Sequence, residues 1–197
     1  MQKPFDHFKV TPRFDPEQPS SHEPGAHGRP RANSVMVTLE ELTVIEAPIE
    51  RCFDLARSVE AHLAGNEHCG ETAVALAGVT SGLIGMAQRV TWRAKHLGVW
   101  QTLTSEITAM EPPVYFQDTM VQGAFRFMKH DHFFRSLPSG QTEMKDVFCF
   151  AAPLPVLGRV AEIVLLRRYM RALLHERNVV IKQIAESSDW TRYLPIP

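Results

Sequence analysis

The chain has 197 residues, of which 44% are hydrophobic and 22% are charged, and its formal net charge is -1. These values are typical of one globular domain with additional tails. Because a nearly neutral chain has no overall field that attracts polyanions, we expect no nucleic-acid partner.

The first 34 residues hold six of the 14 prolines, together with glycines, serines and scattered charges. Such a composition cannot bury enough apolar surface to offset the entropy lost on ordering. We therefore predict a flexible tail over 1–34, a domain over 35–187 and a C-terminal tail over 188–197. The aromatic and proline residues of 188–197 leave open whether this tail folds back or joins a second copy in a homodimer.

The domain begins with a β-rich segment, 35–47, which predicts a first strand. In the next segment, 48–65, apolar residues recur at helical spacing and Ser58 is a candidate cap, which predicts two short helices. The segments that follow are β-rich or alternate, and turn signals such as Leu97-Gly98 separate them: 72–79, 86–96, 99–110, 114–122, 125–137 and 141–150. Short connections of this kind predict antiparallel pairing.

The last predicted element is a long helix over 157–187. Residues three and four apart form one stripe, which is apolar except for Arg177: Ile163, Leu166, Met170, Leu173, Arg177, Val180 and Ile184. Seven antiparallel strands with helices on one side make an α+β fold. A sheet wrapped around one helix leaves a cavity wherever the two do not meet, and small ligands bind in such cavities.

Cysteines and apolar runs indicate the cellular compartment. The three cysteines, Cys52, Cys69 and Cys149, fit neither the spacing of a zinc site nor a disulfide framework. The longest apolar run, at 160–166, is too short to span a membrane, and the N-terminus lacks the apolar core of a signal peptide. We expect a cytoplasmic protein with reduced thiols and no integral membrane segment.

Alternation assigns the side chains of each strand to two faces, and four ionisable groups fall on the inward face: Asp118, His130, His132 and Asp146. The loop at 138–140 fits a three-residue hairpin with Gly140 in the left-handed region. This register places His132 opposite Asp146. Because burying either group alone would be costly, we predict that the two side chains pair.

These features resemble the START-like helix-grip superfamily, also called the SRPBCC or Bet v 1-like fold, which includes proteins related to polyketide cyclase/dehydrase. The segments FQDTMVQGAF (116–125), HDHFF (130–134), TEMKD (142–146) and PLPVLGR (153–159) resemble a bacterial, cell-division-inhibitor-like branch of it. The resemblance covers about 35–187. It implies a sheet wrapped around a long C-terminal helix, with a hydrophobic ligand cavity and no particular reaction.

Several roles are open for the inward polar groups. The two histidines with Asp118 or Asp146 resemble a two-histidine, one-carboxylate metal set, but no cysteine or further histidine has ligand spacing, so we expect no metal and no cofactor. A cyclase or dehydratase would use His132, oriented by Asp146, as acid and base, with Arg177 holding a substrate oxygen. Alternatively, the His–Asp pair only ties two strands together.

The function that we favour is non-catalytic binding of a small hydrophobic or amphipathic ligand. A lipid, quinone, isoprenoid or polyketide-like molecule would meet apolar walls and a few polar groups. The predicted ligand-binding residues are Trp92, Phe116, Asp118, Met120, His130, His132, Asp146, Phe148, Met170 and Arg177.

Overall fold

A computed structural model describes residues 36–67, 70–74, 76, 78–151 and 159–194, with the helical backbone alone for 159–163. The predicted tail over 1–34 lies outside the described residues, and so does the end of the chain after 194. The elements, in chain order, are β1 Met36–Ile45, α1 Ile49–Ala56, α2 Val59–Gly65, β2 Thr72–Ala73, β3 Arg89–His96, β4 Val99–Glu111, β5 Tyr115–Gln122, β6 Phe127–Ser136, β7 Thr142–Ala151 and α3 Arg159–Glu186. A 3₁₀ helix, Ser188–Arg192, follows α3.

The seven strands form one antiparallel sheet in the order β1-β7-β6-β5-β4-β3-β2. The first strand pairs with the last one, so that β2 and β1 are the two edges. Helices α1 and α2 follow β1, and the long helix α3 packs against β1 and against both short helices. The predicted α+β helix-grip fold is therefore confirmed. No helix among the described residues is both long and apolar enough to cross a bilayer.

Two tight turns fix the register of the central strands. Leu97 and Gly98 both have positive φ, 50° and 85°, which is the type I′ geometry of a two-residue hairpin. At the β6–β7 turn, Gly140 has φ 82°, and the Leu137 N–H donates to the Gln141 carbonyl over 2.8 Å. The predicted register follows from this turn, and His132 lies opposite Asp146.

The predicted strand over 72–79 is wrong in extent, because β2 pairs with β3 only at Thr72–Ala73. The chain then makes a close approach to β3 at Gly78, where a Cβ atom would lie 1.8 Å from the Arg89 carbonyl oxygen. Positive φ at Gly78 and Ala87 turns the backbone away from strand geometry. For this reason β3 also begins at Arg89, later than the predicted 86.

The break between α1 and α2 lies where Ser58 was expected to cap a second helix. The buried Ser58 hydroxyl accepts a hydrogen bond from the Ala61 N–H over 3.3 Å. This satisfies one of the N–H groups that a helix start leaves without a partner.

The segment after α3 packs back onto the domain. Leu194 is buried in the core formed by α1, α3 and the sheet, and Trp190 and Tyr193 pack against the same core. The Arg51 guanidinium of α1 lies 4.4 Å from the centre of the Trp190 ring, within the range of a cation–π contact. Residues 188–194 thus cover the end of the helix layer.

The capping contact gives a first prediction. Replacing Ser58 with alanine removes the acceptor for the Ala61 N–H, and we expect the free energy of unfolding to fall by about 1 kcal/mol. Urea unfolding followed by circular dichroism measures this loss. The exposed Ser188 provides the control, since Ser188→Ala should change the free energy by less than about 0.5 kcal/mol. Equal midpoints for both variants would show that the cap does not hold α2.

Candidate functional site

A cavity of about 390 Å³ lies between the inner face of the sheet and the helices. Eight of the ten predicted ligand-binding residues line it: Trp92, Phe116, Asp118, His130, His132, Phe148, Met170 and Arg177. The other two predicted residues do not line it. Met120 packs against an apolar cluster around Met128 and Phe150, and Asp146 is completely buried behind the two histidines. Asp146 is therefore positioned to act through its neighbours.

The two histidines project from the inner face of β6 between two carboxylates. In the sheet register Asp118 of β5 is opposite His130, and Asp146 of β7 is opposite His132. The imidazole rings lie 3.8 Å apart, and the Phe116 ring stacks on His132 with centroids 4.1 Å apart. Because residues two apart share a face, a His-x-His sequence places both rings in this pocket wall.

Each imidazole faces Asp146 with one nitrogen and Asp118 with the other. Asp146 Oδ1 lies 2.7 Å from His132 Nδ1 and 3.0 Å from His130 Nε2. Neither of these short contacts has hydrogen-bond geometry, and the attraction between the carboxylate and each ring is electrostatic. On the cavity side, Asp118 Oδ2 forms a hydrogen bond of 3.2 Å with His132 Nε2 and lies 3.9 Å from His130 Nδ1.

Helix α3 completes the surroundings of Asp146. The Asn178 side-chain amide donates to Asp146 Oδ2 over 2.7 Å, and an Arg177 N–H group donates to Asp146 Oδ1 over 3.4 Å. Arg177 also donates to the Ala56 carbonyl at the end of α1 over 3.0 Å. The arginine interrupts the apolar stripe of α3 because a buried carboxylate faces it. Neither the Asn178 contact nor the Ala56 contact had a signal in the sequence.

The charges of the cluster follow from these contacts. Burial opposes the ionisation of Asp146, but His130, His132 and Arg177 outweigh it and hold the pKa of this carboxyl well below its usual range. Burial and the neighbouring His132 lower the pKa of His130 to about 4. Burial also disfavours protonation of His132, but Asp118 and Asp146 prevail and raise its pKa. The two adjacent imidazoles therefore differ, with His130 neutral near pH 7 and His132 the more basic ring.

A second polar group in the cavity was missed by the sequence analysis. The His62 ring stacks on Trp92 with centroids 4.0 Å apart, and its Nε2 lies 3.1 Å from the buried Glu71 carboxylate. Nearby, His96 Nδ1 lies 2.9 Å from the Tyr169 hydroxyl. His62 belongs to α2, inside the segment for which two short helices were predicted. For His96 a signal existed, since it continues the inward alternation of β3.

Comparisons with known proteins identify the fold. No protein-family model matches the chain, and no curated protein matches its sequence. A START superfamily protein from Mycobacterium smegmatis is 13% identical with a TM-score of 0.58, over 76% of this chain and 97% of that one. The protein TTHA0849 from Thermus thermophilus is 17% identical with a TM-score of 0.59, over 77% of this chain and 100% of that one.

A third similar structure is the di-domain ARO/CYC StfQ from the steffimycin biosynthetic pathway. It is 14% identical with a TM-score of 0.61, and the match covers 77% of this chain and 51% of StfQ. At such low identities the similarity shows the fold alone. The predicted START-like, Bet v 1-like fold is thus confirmed, and the chemistry must be argued from the cavity.

The central position of Asp146 gives a second prediction. Asp146→Asn leaves Arg177 without its buried anionic partner, so we expect the free energy of unfolding at pH 7 to fall by about 3–5 kcal/mol. Because the folded-state pKa of Asp146 is lowered, its stabilisation is present above about pH 4 and is lost as the pH falls through the folded-state value. Urea unfolding at several pH values should therefore show the two proteins converging in acid.

The control for Asp146 is a carboxylate of the same strand on the opposite face. Glu143 forms an ion pair of 2.8 Å with the half-exposed Arg135. Glu143→Gln should cost less than about 1 kcal/mol, because solvent screens a surface pair. If Asp146→Asn is no more destabilising than Glu143→Gln at pH 7, the buried carboxylate does not organise the cluster.

Proposed function

We propose that the protein binds a small hydrophobic or amphipathic ligand, of the size of a lipid, quinone, isoprenoid or polyketide-like molecule, inside the cavity. The observation that carries this proposal is the cavity itself. Its volume of about 390 Å³ lies within the range of small-molecule pockets. A space of this size at the centre of a closely packed domain leaves many side chains without contacts unless a ligand supplies them.

The cavity wall is apolar over most of its extent. Phe116, Phe148 and Met170 supply contact area, together with other apolar residues of β3, β4, β6 and α3: Val90, Leu103, Met128, Leu166, Leu173 and Leu174. Removing apolar ligand surface from water against these residues contributes about 25 cal/mol for each Å² buried. Apolar contact is therefore the main source of affinity.

Polar groups lie in two separate places on this wall. One is the cluster of Asp118, His130 and His132 on β5 and β6, and the other is the pair of His62 and Glu71 near β3. β3 and β6 are three strands apart in the sheet, which corresponds to about 14 Å at the usual strand spacing. A ligand with a polar group towards each end and an apolar body between them matches this arrangement.

A second candidate function is proton transfer on an enolisable, polyketide-like substrate, as in a cyclase or dehydratase. It is favoured by the 2.7 Å contact between His132 Nδ1, in the cavity wall, and Asp146 Oδ1 behind it, and one of the structures with a similar fold is the di-domain ARO/CYC StfQ. His130 is better placed than His132 to accept a proton. Both ring nitrogens of His132 lie within 3.2 Å of a carboxylate, whereas His130 Nδ1 lies 3.9 Å from Asp118.

Filling the cavity tests the binding proposal. Ala94 lies in the cavity wall on β3 and is buried, so Ala94→Phe should occupy space that a ligand needs. We expect the full chain to bind 1-anilinonaphthalene-8-sulfonate saturably and Ala94→Phe to bind it at least about tenfold more weakly, a loss of about 1.4 kcal/mol. Fluorescence titration measures both affinities, and native mass spectrometry of the purified chain identifies any ligand that it retains.

The matched control is the same substitution on the outer side of α3, at the exposed Ala172. Ala172→Phe should bind the probe as the wild type does. Equal affinities for the wild type and Ala94→Phe, in a protein that retains no small molecule, would contradict binding in the cavity.

Isotope exchange tests the second candidate without knowledge of the substrate. A base in the cavity would remove an α-proton of 1-tetralone to give the enolate, and a deuteron from D₂O would then replace that proton. We expect exchange, followed by NMR, to be faster with the wild type than with His130→Gln. His62→Gln serves as the control for loss of a cavity imidazole outside the cluster. Exchange at the uncatalysed rate with the wild type would leave only the binding function.

A further inference from the structure

We infer that Asp118, His130 and His132 form a binding site for one divalent first-row transition-metal ion, such as Zn²⁺ or Fe²⁺, in the cavity wall. The inference does not depend on the proposed ligand-binding function, because it concerns three side chains and not the apolar cavity. It revises the expectation of no metal, which we based on the sequence because no third ligand was secure there.

The three side chains converge on one region of the cavity wall. Each can offer one ligand atom such that all three atoms lie within 4.8 Å of one another. Two ligands at about 2.1 Å from a metal, at angles of 90° to 109°, are themselves about 3.0–3.4 Å apart. Asp118 Oδ2 lies 3.2 Å from His132 Nε2, within this range, and 3.9 Å from His130 Nδ1, so the His130 ring must move towards the other two ligands to complete the site.

The His130 contact points to a bridging ion. A separation of 3.9 Å between His130 Nδ1 and Asp118 Oδ2 is too long for a hydrogen bond. Nδ1 is the ring nitrogen of His130 on the cavity side, since Nε2 faces the buried Asp146, so an ion in the cavity can reach it. A metal ion between the two atoms would bond both of them.

Asp146 lies where the carboxylate next to a metal-binding histidine usually lies. It lies 2.7 Å from His132 Nδ1 and 3.0 Å from His130 Nε2, on the side of each ring opposite to Asp118. The negative charge of Asp146 favours the tautomer of each ring that carries its proton on the nearer nitrogen, which leaves the other nitrogen free to bind metal. One carboxylate thereby orients both rings, and the Arg177 and Asn178 side chains hold that carboxylate from α3.

The charges of the site suggest what else the metal would bind. With both imidazoles neutral, the carboxylates of Asp118 and Asp146 and the guanidinium of Arg177 leave one negative charge. A divalent ion changes this to one positive charge, and three protein ligands leave coordination positions open towards the cavity. An anionic oxygen ligand, such as a carboxylate, an enolate or hydroxide, would neutralise the site.

Titration of the metal-free, full-length chain without an affinity tag tests the inference. We use Co²⁺ as the probe, since its visible absorption reports coordination, and Zn²⁺ as the competitor. We expect one equivalent of Co²⁺ to bind with a d–d spectrum that Zn²⁺ abolishes. His130→Gln and Asp118→Leu should lose this one-equivalent phase, and Asp146→Asn should bind about 10–100-fold more weakly because it keeps the ligands but not their orienting charge.

A control separates this site from the other seven of the nine histidines in the chain. His175→Gln removes an exposed imidazole of α3 outside the cavity and should bind Co²⁺ as the wild type does. Absence of the one-equivalent phase from the wild type would overturn the inference, and so would its persistence in both His130→Gln and Asp118→Leu. Circular dichroism establishes that each variant is folded. Asp118 is the least buried of the three ligands, so its variant carries the test if His130→Gln does not fold.

Binding of 1-anilinonaphthalene-8-sulfonate, measured on the same samples, distinguishes the metal-site proposal from the ligand-binding proposal. Binding of the fluorescent dye without binding of Co²⁺ would overturn only the metal site. Binding of Co²⁺ without binding of the dye would support the metal site and count against the proposed hydrophobic ligand.

Discussion

One buried carboxylate constrains the centre of this domain. Asp146 has no solvent exposure, and an isolated carboxylate in such a place would be prohibitively unstable. It is balanced by His130 and His132 from the neighbouring strand and by Arg177 and Asn178 from α3. Asp146 therefore holds β6, β7 and α3 together at one point. The Arg177 contact with the Ala56 carbonyl adds the end of α1.

This charged cluster marks the boundary between the packed core and the cavity. On α3, the residues after Arg177 enter the core, as Ile181 and Ile184 show. The residues before Arg177, such as Met170 and Leu173, line the cavity instead. Because the cluster and the core hold α3 at its C-terminal half, the preceding turns can stand away from the sheet and leave room for a ligand.

The two proposals use different properties of the same cavity. Ligand binding draws on apolar area contributed by many residues, so no single side chain decides it. Metal binding draws on three atoms whose spacing must be correct within a few tenths of an ångström. An amphipathic ligand whose anionic oxygen reaches the Asp118–His130–His132 site would use both properties together.

The sequence by itself determined the element order, the inward faces of the strands and the pairing of His132 with Asp146, because these depend on local periodicity and on one short hairpin loop. It also singled out Arg177 as a misplaced cation. Only the tertiary structure decided that Asp146 contacts both histidines, that Asn178 contacts Asp146, and that His62 meets Glu71 and Trp92 in the cavity. Those contacts join elements distant in sequence. No local pattern predicts them, because the separations between their atoms depend on how α2 and α3 pack on the twisted sheet.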